Sequence, residues 1–460
     1  MKTRDKMTMN RRSFLMAAGA ATVTGAVTRR ARAQTPSPNA KLSHACIGVG
    51  GMGYGDLNSF KSHANLQIVA ICDVDKGNLN KAAALLPGVR TYTDWRELLA
   101  KEGDKIDAIN VATPDHMHAS ITVSALRAHK HVYCQKPLCR DIAEVRAVMQ
   151  ATQSSGQVTQ LGTQCASMVG DRMAVQYLQD GVLGEISRVV LFMTVKARSS
   201  IPGPRPEKGA PPPANLNWDL WLGTAPVREY APGVYHPFFW RAWQDFGTGV
   251  MGDNQSHLFD SSWKGLELTA PLSVKAEVQE SWKTDAARRA ENWPQSRHVV
   301  WTFPGTKRSG GKPITVEWFD GIEALPQEFQ RYAQDCGLQK LPEIGSLVIG
   351  SEGAMLMAHG TAPRLVSDGR LNNYPKPKLP NHPSHYHHFV DACLGNAKTA
   401  SHFMQTGPMT EAIMLGNIAV RIPDTEIRWD AAATKVTNVP EANKLIGRTY
   451  REGWNIPGLG

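Results

Sequence analysis

The chain offers little for cross-linking. Seven cysteines, an odd number, stand at 46, 72, 134, 139, 165, 336 and 393 with no C-x-x-C spacing. That excludes a disulfide framework, and no metal site is expected. No internal repeat is evident. The apolar stretch at 14–27 has 14 residues, short of the roughly 20 that span a bilayer, so no stable membrane insertion is expected. A basic surface is lacking too. Of the formal net charge of +10, residues 1–33 hold +7 (eight lysines and arginines against Asp5), which leaves +3 for residues 34–460. The body has no imbalance that calls for nucleic acid. What is present is ordinary for a folded protein: 460 residues, 42% hydrophobic and 20% charged, enough for two domains.

Residues 1–33 are laid out as an export signal. A basic segment ends in Asn10-Arg11-Arg12-Ser13-Phe14-Leu15, an apolar stretch follows, and Ala31-Arg32-Ala33 puts small residues where a signal peptidase reads. The paired arginines before Phe-Leu resemble twin-arginine signals. Cleavage after Ala33, a linker at 34–40 and a periplasmic location are expected. That route carries folded proteins, so a cofactor can be inserted before export.

From 42 to 161 short apolar runs alternate with amphipathic ones, the pattern of a parallel α/β sheet. The spacing predicts strands at 42–47, 66–72, 108–111, 131–134 and 158–161, and helices at 76–86, 94–101, 116–129 and 141–154. Gly48-Val49-Gly50-Gly51-Met52-Gly53 follows the first strand and opens a helix, and Asp73 closes the second strand. In that context the glycines are a dinucleotide signature. Gly48 permits the turn, Gly50 lets the backbone approach a pyrophosphate and Gly53 lets helix and strand pack closely, while the amides of the helix start, Gly51 and Met52 among them, face the anion. Asp73 is placed to accept hydrogen bonds from the adenosine ribose. Its charge repels a 2′-phosphate, and no arginine follows within Val74-Asp75-Lys76-Gly77, so NAD is favoured over NADP.

Further motifs carry a resemblance. Val111-Ala112-Thr113-Pro114-Asp115-His116-Met117-His118, Cys134-Gln135-Lys136-Pro137-Leu138, Gly181-Val182-Leu183-Gly184-Glu185-Ile186, and the segment from Tyr235-His236-Pro237 through Gly252-Asp253-Asn254-Gln255-Ser256-His257 are similar to motifs of the glucose-fructose oxidoreductase/inositol dehydrogenase family, Gfo/Idh/MocA, in its exported branch. The resemblance implies a Rossmann domain at 41–163 and a second α/β domain at 164–460 on a large, mainly antiparallel, open-faced sheet. Strands there are expected at 187–196, 273–281, 297–303 and 313–319. It also implies a homo-oligomer formed through that open face. Thr113, Pro114, His116, Gln135 and Lys136 are expected beside the nicotinamide, and His118, Tyr235 and His236 beside the substrate. Most members have Glu where this chain has Gln135, which puts the protonation of Lys136 in question.

The chemistry of alcohol oxidation asks for the same residues. A hydride leaves carbon and a proton leaves oxygen, so the site needs a base and a stabiliser of the developing alkoxide. Lys136, just past a strand end, suits the alkoxide. Asp253 and His257, four apart, share one helix face. His257 is the expected proton acceptor, and Asp253 holds a hydroxyl or orients the ring. The histidines at 382, 385, 387 and 388 read as a helix start capped by Ser384 and stopped by Gly395. The prolines between 199 and 214 mark a long extended loop, a lid or an arm.

An exported dehydrogenase has no free nicotinamide pool to draw on, so tightly held NAD and a redox-neutral cycle are expected. Two routes fit: transhydrogenation between sugars, or transient oxidation at C3 that acidifies the C2 hydrogen, expels the C1 substituent and ends in net hydrolysis. The expected function is therefore an NAD-dependent enzyme of the oxidoreductase family acting on a carbohydrate or cyclitol, with NAD-dependent glycoside cleavage as the sharper alternative. A non-catalytic nucleotide-binding sensor is the third reading. It has no use for Lys136, Asp253 and His257.

Overall fold

The computed structural model describes residues 41–195, 201, 203–321, 325–371 and 373–459. The expected export signal and linker lie outside them. Six strands form a parallel sheet: β1 (Leu42–Ile47), β2 (Leu66–Cys72), β3 (Arg90–Tyr92), β4 (Ala108–Val111), β5 (His131–Cys134) and β6 (Thr159–Leu161). Their order is β3-β2-β1-β4-β5-β6, the doubly wound arrangement in which ligands bind beyond the strand ends at the β1/β4 switch point. Helices α1 (Gly51–Lys61), α2 (Lys76–Ala83), α3 (Trp95–Glu102), α4 (His118–Arg127) and α5 (Ile142–Ser155) connect them. Strand β3 was not expected. Its three residues are mostly exposed and too few to show a period.

The second sheet has nine strands: β7 (Ile186–Met193), β8 (Ser273–Val278), β9 (Arg297–Phe303), β10 (Ile314–Asp320), β11 (Ile344–Gly350), β12 (Ala354–Ala358), β13 (Arg364–Val366), β14 (Ile427–Asp430) and β15 (Lys435–Val436). They run in the order β13-β12-β11-β7-β10-β9-β8-β14-β15. Only β7 and β10 pair in parallel among these neighbours, so the sheet is mixed and mostly antiparallel. One face packs on α6 (Val169–Gln179), α7 (Gly249–Gly265) and α9 (Phe403–Arg421), with Trp301, Trp318 and Trp263 in the shared core. The expected strand at 273–281 stops at Val278, because Glu280–Lys283 turns into a short helix.

Residue 163 divides the two sheets but not the packing. Helix α8 (His385–Cys393) lays Phe389 and Val390 on the core beside β1 and α1. The C-terminal tail brings Tyr450, Trp454 and Leu459 into the core around β4 and β5. Arg448 fastens it by donating to Glu144 Oε1 at 2.8 Å and to the His116 carbonyl at 2.9 Å, and the Tyr450 hydroxyl donates to the same Glu144 oxygen at 2.8 Å. Among the described residues no helix is long and apolar enough to cross a membrane.

Candidate active site

The glycine loop leaves β1 for α1 with Gly48 at φ +80°, a left-handed conformation that favours glycine. A Cβ at Gly53 would stand 2.1 Å from the Gly48 carbonyl oxygen, so only glycine lets α1 sit this close. The N-cap, Gly50, has no side chain to cap the first-turn amides. Space beside Gly51 is open, and Met52 is exposed. Asn78 of α2 reaches across Gly50, with Nδ2 only 2.3 Å from where a Cβ would be. No spacing rule singles Asn78 out.

Asp73 follows β2 and binds backbone on both sides. Its Oδ2 accepts from Val49 N at 2.9 Å and its Oδ1 from Asp75 N at 2.8 Å, which draws the glycine loop toward the strand end. Burial raises its carboxyl above the usual range, against the two amides that lower it. Beside it Asp75 accepts from Asn215 Nδ2 at 2.6 Å and sits 3.0 Å from His236 Nε2. Open amides at a helix start and two adjacent carboxylates suit a dinucleotide without a 2′-phosphate. The residues fit NAD.

Lys136 follows β5. Its Nζ donates to Asp253 Oδ1 at 2.6 Å, and Arg241 Nε stands 3.5 Å from the other oxygen. This ion pair joins the two sheets' domains. The three side chains are 16–18% exposed, sheltered but reachable. Helix α7 brings Asp253 there because its start is tied down: Thr248 donates to Asp115 Oδ2 from its amide at 3.1 Å and its hydroxyl at 2.8 Å. Burial alone would raise the Asp253 carboxyl, but Lys136 and Arg241 bring it down to about 2. Asp253 is therefore a fixed anion committed to two cations. Each oxygen keeps a second acceptor site, so the pairing leaves room for the expected contact with a substrate hydroxyl.

His257, one turn on, keeps a buried Nδ1 with no partner. Burial, then Lys136 and His359, push its pKa well below the ordinary value, and Asp253 only partly offsets them. The ring stays neutral, as a proton acceptor must. Its centroid lies 5.3 Å from that of His359, an exposed residue just past β12. Neither Arg241 nor His359 was singled out in the sequence as a site residue. Arg241 stands inside the Tyr235–His257 motif region, whereas only the pairing of β12 with β11 brings His359 in.

Several expected contacts are corrected. Tyr235 is 1% exposed inside an aromatic cluster with Trp243 and Phe246, so it packs and touches no ligand. His236 turns to Asp75, at the nucleotide end. His116 is fully buried against Trp221 and Phe246, its Nε2 3.0 Å from the Trp221 carbonyl; burial and Arg448 lower it to about 3. Gln135 is 4% exposed and donates to both oxygens of Asp56, at 3.0 and 2.9 Å. Tyr386 also donates to Asp56, at 2.8 Å. Burial lifts the Asp56 carboxyl to about 6 against these donors and Lys136. A carboxylate is thus restored near the lysine loop from α1. Thr113 and Pro114 do lie in the loop beyond β4, where Thr113 Oγ1 is buried without a partner.

His118 is 1% exposed and faces no substrate. Its Nδ1 lies 2.7 Å from the Pro137 carbonyl and its Nε2 2.9 Å from the Thr113 carbonyl. Carbonyl oxygens only accept, so both ring nitrogens carry protons and the imidazolium clamps the two cofactor-side loops. Burial lowers its pKa, yet Cys134, Asp115 and the Pro137 carbonyl raise it overall to about 9. A folded value above the unfolded one, roughly 6.5, gives stability present below that pH and lost as pH rises through 9. Accordingly, selective ¹⁵N labelling of histidine should show one ring protonated at both nitrogens at pH 8. His118→Ala should cost about 3 kcal/mol in urea unfolding, for two charged hydrogen bonds, and flatten that pH slope. A ring that titrates near 6.5 contradicts the clamp.

Among the histidines at 382–388, Ser384 caps α8 as expected. His385 is buried between Ser167 Oγ at 2.7 Å and the Leu161 carbonyl at 2.8 Å. His387 meets Ser62 Oγ at 2.7 Å.

Comparison with known proteins gives the fold its relatives. The model described as oxidoreductase family, NAD-binding Rossmann fold, matches residues 42–163, and that of the same family's C-terminal alpha/beta domain matches 201–295. A levoglucosan dehydrogenase of Pseudarthrobacter phenanthrenivorans is 31% identical over 94 residues, 20% of this chain and 24% of that protein. A glycosyl hydrolase family 109 protein of Shewanella baltica is 25% identical over 205 residues, 39% of this chain and 44% of that one. The chain thus spans less than half the length of these curated relatives. The WlbA dehydrogenase of Bordetella pertussis, solved in complex with NADH and UDP-GlcNAcA, shares the fold with a TM-score of 0.60 at 15% identity, over 85% of this chain and 99% of that one.

Proposed function

We propose that this chain, matched at 42–163 and 201–295 by models of the Gfo/Idh/MocA oxidoreductase family, works as a member of it and moves hydride at a carbohydrate or cyclitol carbon with NAD held through a redox-neutral cycle. The observation that carries this is the Lys136–Asp253 pair at 2.6 Å beside a neutral His257. When bound, NAD supplies a hydride acceptor and gives the hydride back. The glycine loop from Gly48 to Gly53 holds its pyrophosphate, and Asp73 with Asp75 its adenosine side. Lys136, fixed by Asp253, stabilises the alkoxide that forms as the substrate hydroxyl loses its proton. His257 takes that proton. Arg241 shares Asp253 and keeps its carboxylate charged.

Export through residues 1–33 belongs to this reading, because it is what makes a closed cycle necessary. A reporter fused after residue 40 should be exported only with Arg11 and Arg12 intact, and export that survives their change to lysine contradicts it.

Glycoside cleavage is the second reading, favoured by the likeness to a glycosyl hydrolase family 109 protein. A panel of p-nitrophenyl glycosides and free sugars, incubated in deuterated water without added NAD, separates the readings. Transient oxidation predicts turnover with no net NADH and deuterium at C2, since elimination passes through a deprotonated carbon. Transhydrogenation predicts paired sugar oxidation and reduction without that exchange. Stoichiometric NADH release contradicts the closed cycle.

A further inference from the structure

Aromatic side chains crowd the segment 235–246, and the fold divides them. Tyr235, Trp240, Trp243 and Phe246 are buried together. Phe238 and Phe239 stay outside, 40% and 37% exposed, and among the described residues no other phenylalanine is exposed. Their rings meet edge to face with centroids 5.7 Å apart. The turn that presents them is held from behind, since Trp240 N donates to the Tyr235 carbonyl at 2.9 Å and Trp243 N to the Trp240 carbonyl at 3.1 Å. Two neighbouring rings kept in water on a fixed turn make an apolar patch ready for a flat partner.

Arg241 sets this patch at the mouth of the cleft. Its guanidinium lies 4.1 Å from the Trp240 ring centroid and 4.8 Å from that of Phe238, and its Nη1 donates to the Phe238 carbonyl at 3.3 Å. Its Nε stands 3.5 Å from Asp253 Oδ2, and Asp253 holds Lys136. One guanidinium therefore separates the Phe238 ring from the pair that handles the reacting hydroxyl, about the breadth of a sugar ring. Lys136, Asp253 and His257 serve polar atoms. The phenylalanines serve none, but the C–H face of a pyranose or the face of an aryl group stacks on such rings without asking for a hydrogen bond.

We propose that Phe238 and Phe239 form an aglycone subsite, a platform for the ring joined to the reacting sugar through its glycosidic oxygen. The substrate is then a glycoside carrying a flat ring, aryl or a second pyranose, and a free monosaccharide leaves the platform uncovered. This rests on the reading that a sugar reacts at Lys136 and Asp253, and it adds which class of sugar.

Saturation-transfer NMR of the purified full chain tests it, with p-nitrophenyl glycosides, the methyl glycosides of the same sugars and the corresponding disaccharides as probes. Saturation is expected on the aryl protons or on the second sugar ring, whichever source the platform takes, with binding about tenfold tighter than for the methyl glycoside, the scale of one aromatic stacking pair. Phe238→Ala with Phe239→Ala should remove that tenfold advantage, and Phe238→Trp should keep it. An advantage that survives the double alanine variant overturns the platform, as does failure of every glycoside to bind. Loss of bound nucleotide in the double variant overturns it too, because the rings would then cover the cofactor. Binding is read apart from turnover: hydride transfer without any preference for a second ring sinks the subsite alone, whereas a preference without hydride transfer to any sugar contradicts the proposed reaction and leaves the subsite standing.

Discussion

Lys136→Ala should lower the hydride-transfer rate by about 10²–10³, the scale seen when a donor to a developing oxyanion is removed. The loss has two sources. The alkoxide loses its stabilising cation, and Asp253, now paired only with Arg241 at 3.5 Å, faces the forming negative charge. Lys136→Arg should recover little, because a planar guanidinium cannot take the place of a compact ammonium at 2.6 Å from Asp253. The effect should fall on kcat with nucleotide content unchanged, since the glycine loop and Asp73 are untouched. Loss of nucleotide together with rate would mean that Lys136 holds the cofactor and does not act on the alkoxide.

His257→Ala should cost about 10²–10⁴ in the same step, the usual contribution of a positioned base. The pH profile makes the sharper statement. Burial with Lys136 and His359 nearby holds the ring neutral, so rates should show no acid limb at the ordinary histidine value of about 6.5. The limb belongs well below it. Asp56 can add a separate feature, since burial raises its carboxyl to about 6, and Asp56→Asn identifies that by removing it. A limb near 6.5 that disappears only in His257→Ala contradicts the neutral-base assignment.

The contrast between these residues shows what a sequence can carry. Lys136, Asp253 and His257 lie just past a strand end or on one helix face, and the family resemblance, not spacing alone, singles them out. Strands β1, β2, β4 and β5 are local, each an apolar run ending at a loop. His116 and Gln135 sit in the right loops yet make their contacts within the protein, because side-chain direction is settled by what packs behind the loop: Trp221 and Phe246 for one, Asp56 for the other. An aromatic run likewise does not say which ring faces the core, and Tyr235 packs inside. His359 depends on strand pairing across the second sheet, and no local pattern encodes that. Gln135 was a departure from the family in the sequence. Its partner Asp56, 79 positions away, could be read only from the fold.

The central claim is that this chain holds NAD as a resident group at the Lys136 site. Mass spectrometry of the nucleotide released on denaturing the purified protein tests it most directly, with Asp73→Ser as the companion variant. The account predicts about one NAD per chain in the wild type, and in the variant a weakened hold on NAD relative to NADP. Protein that comes out without nucleotide, or carrying NADP in place of NAD, contradicts it.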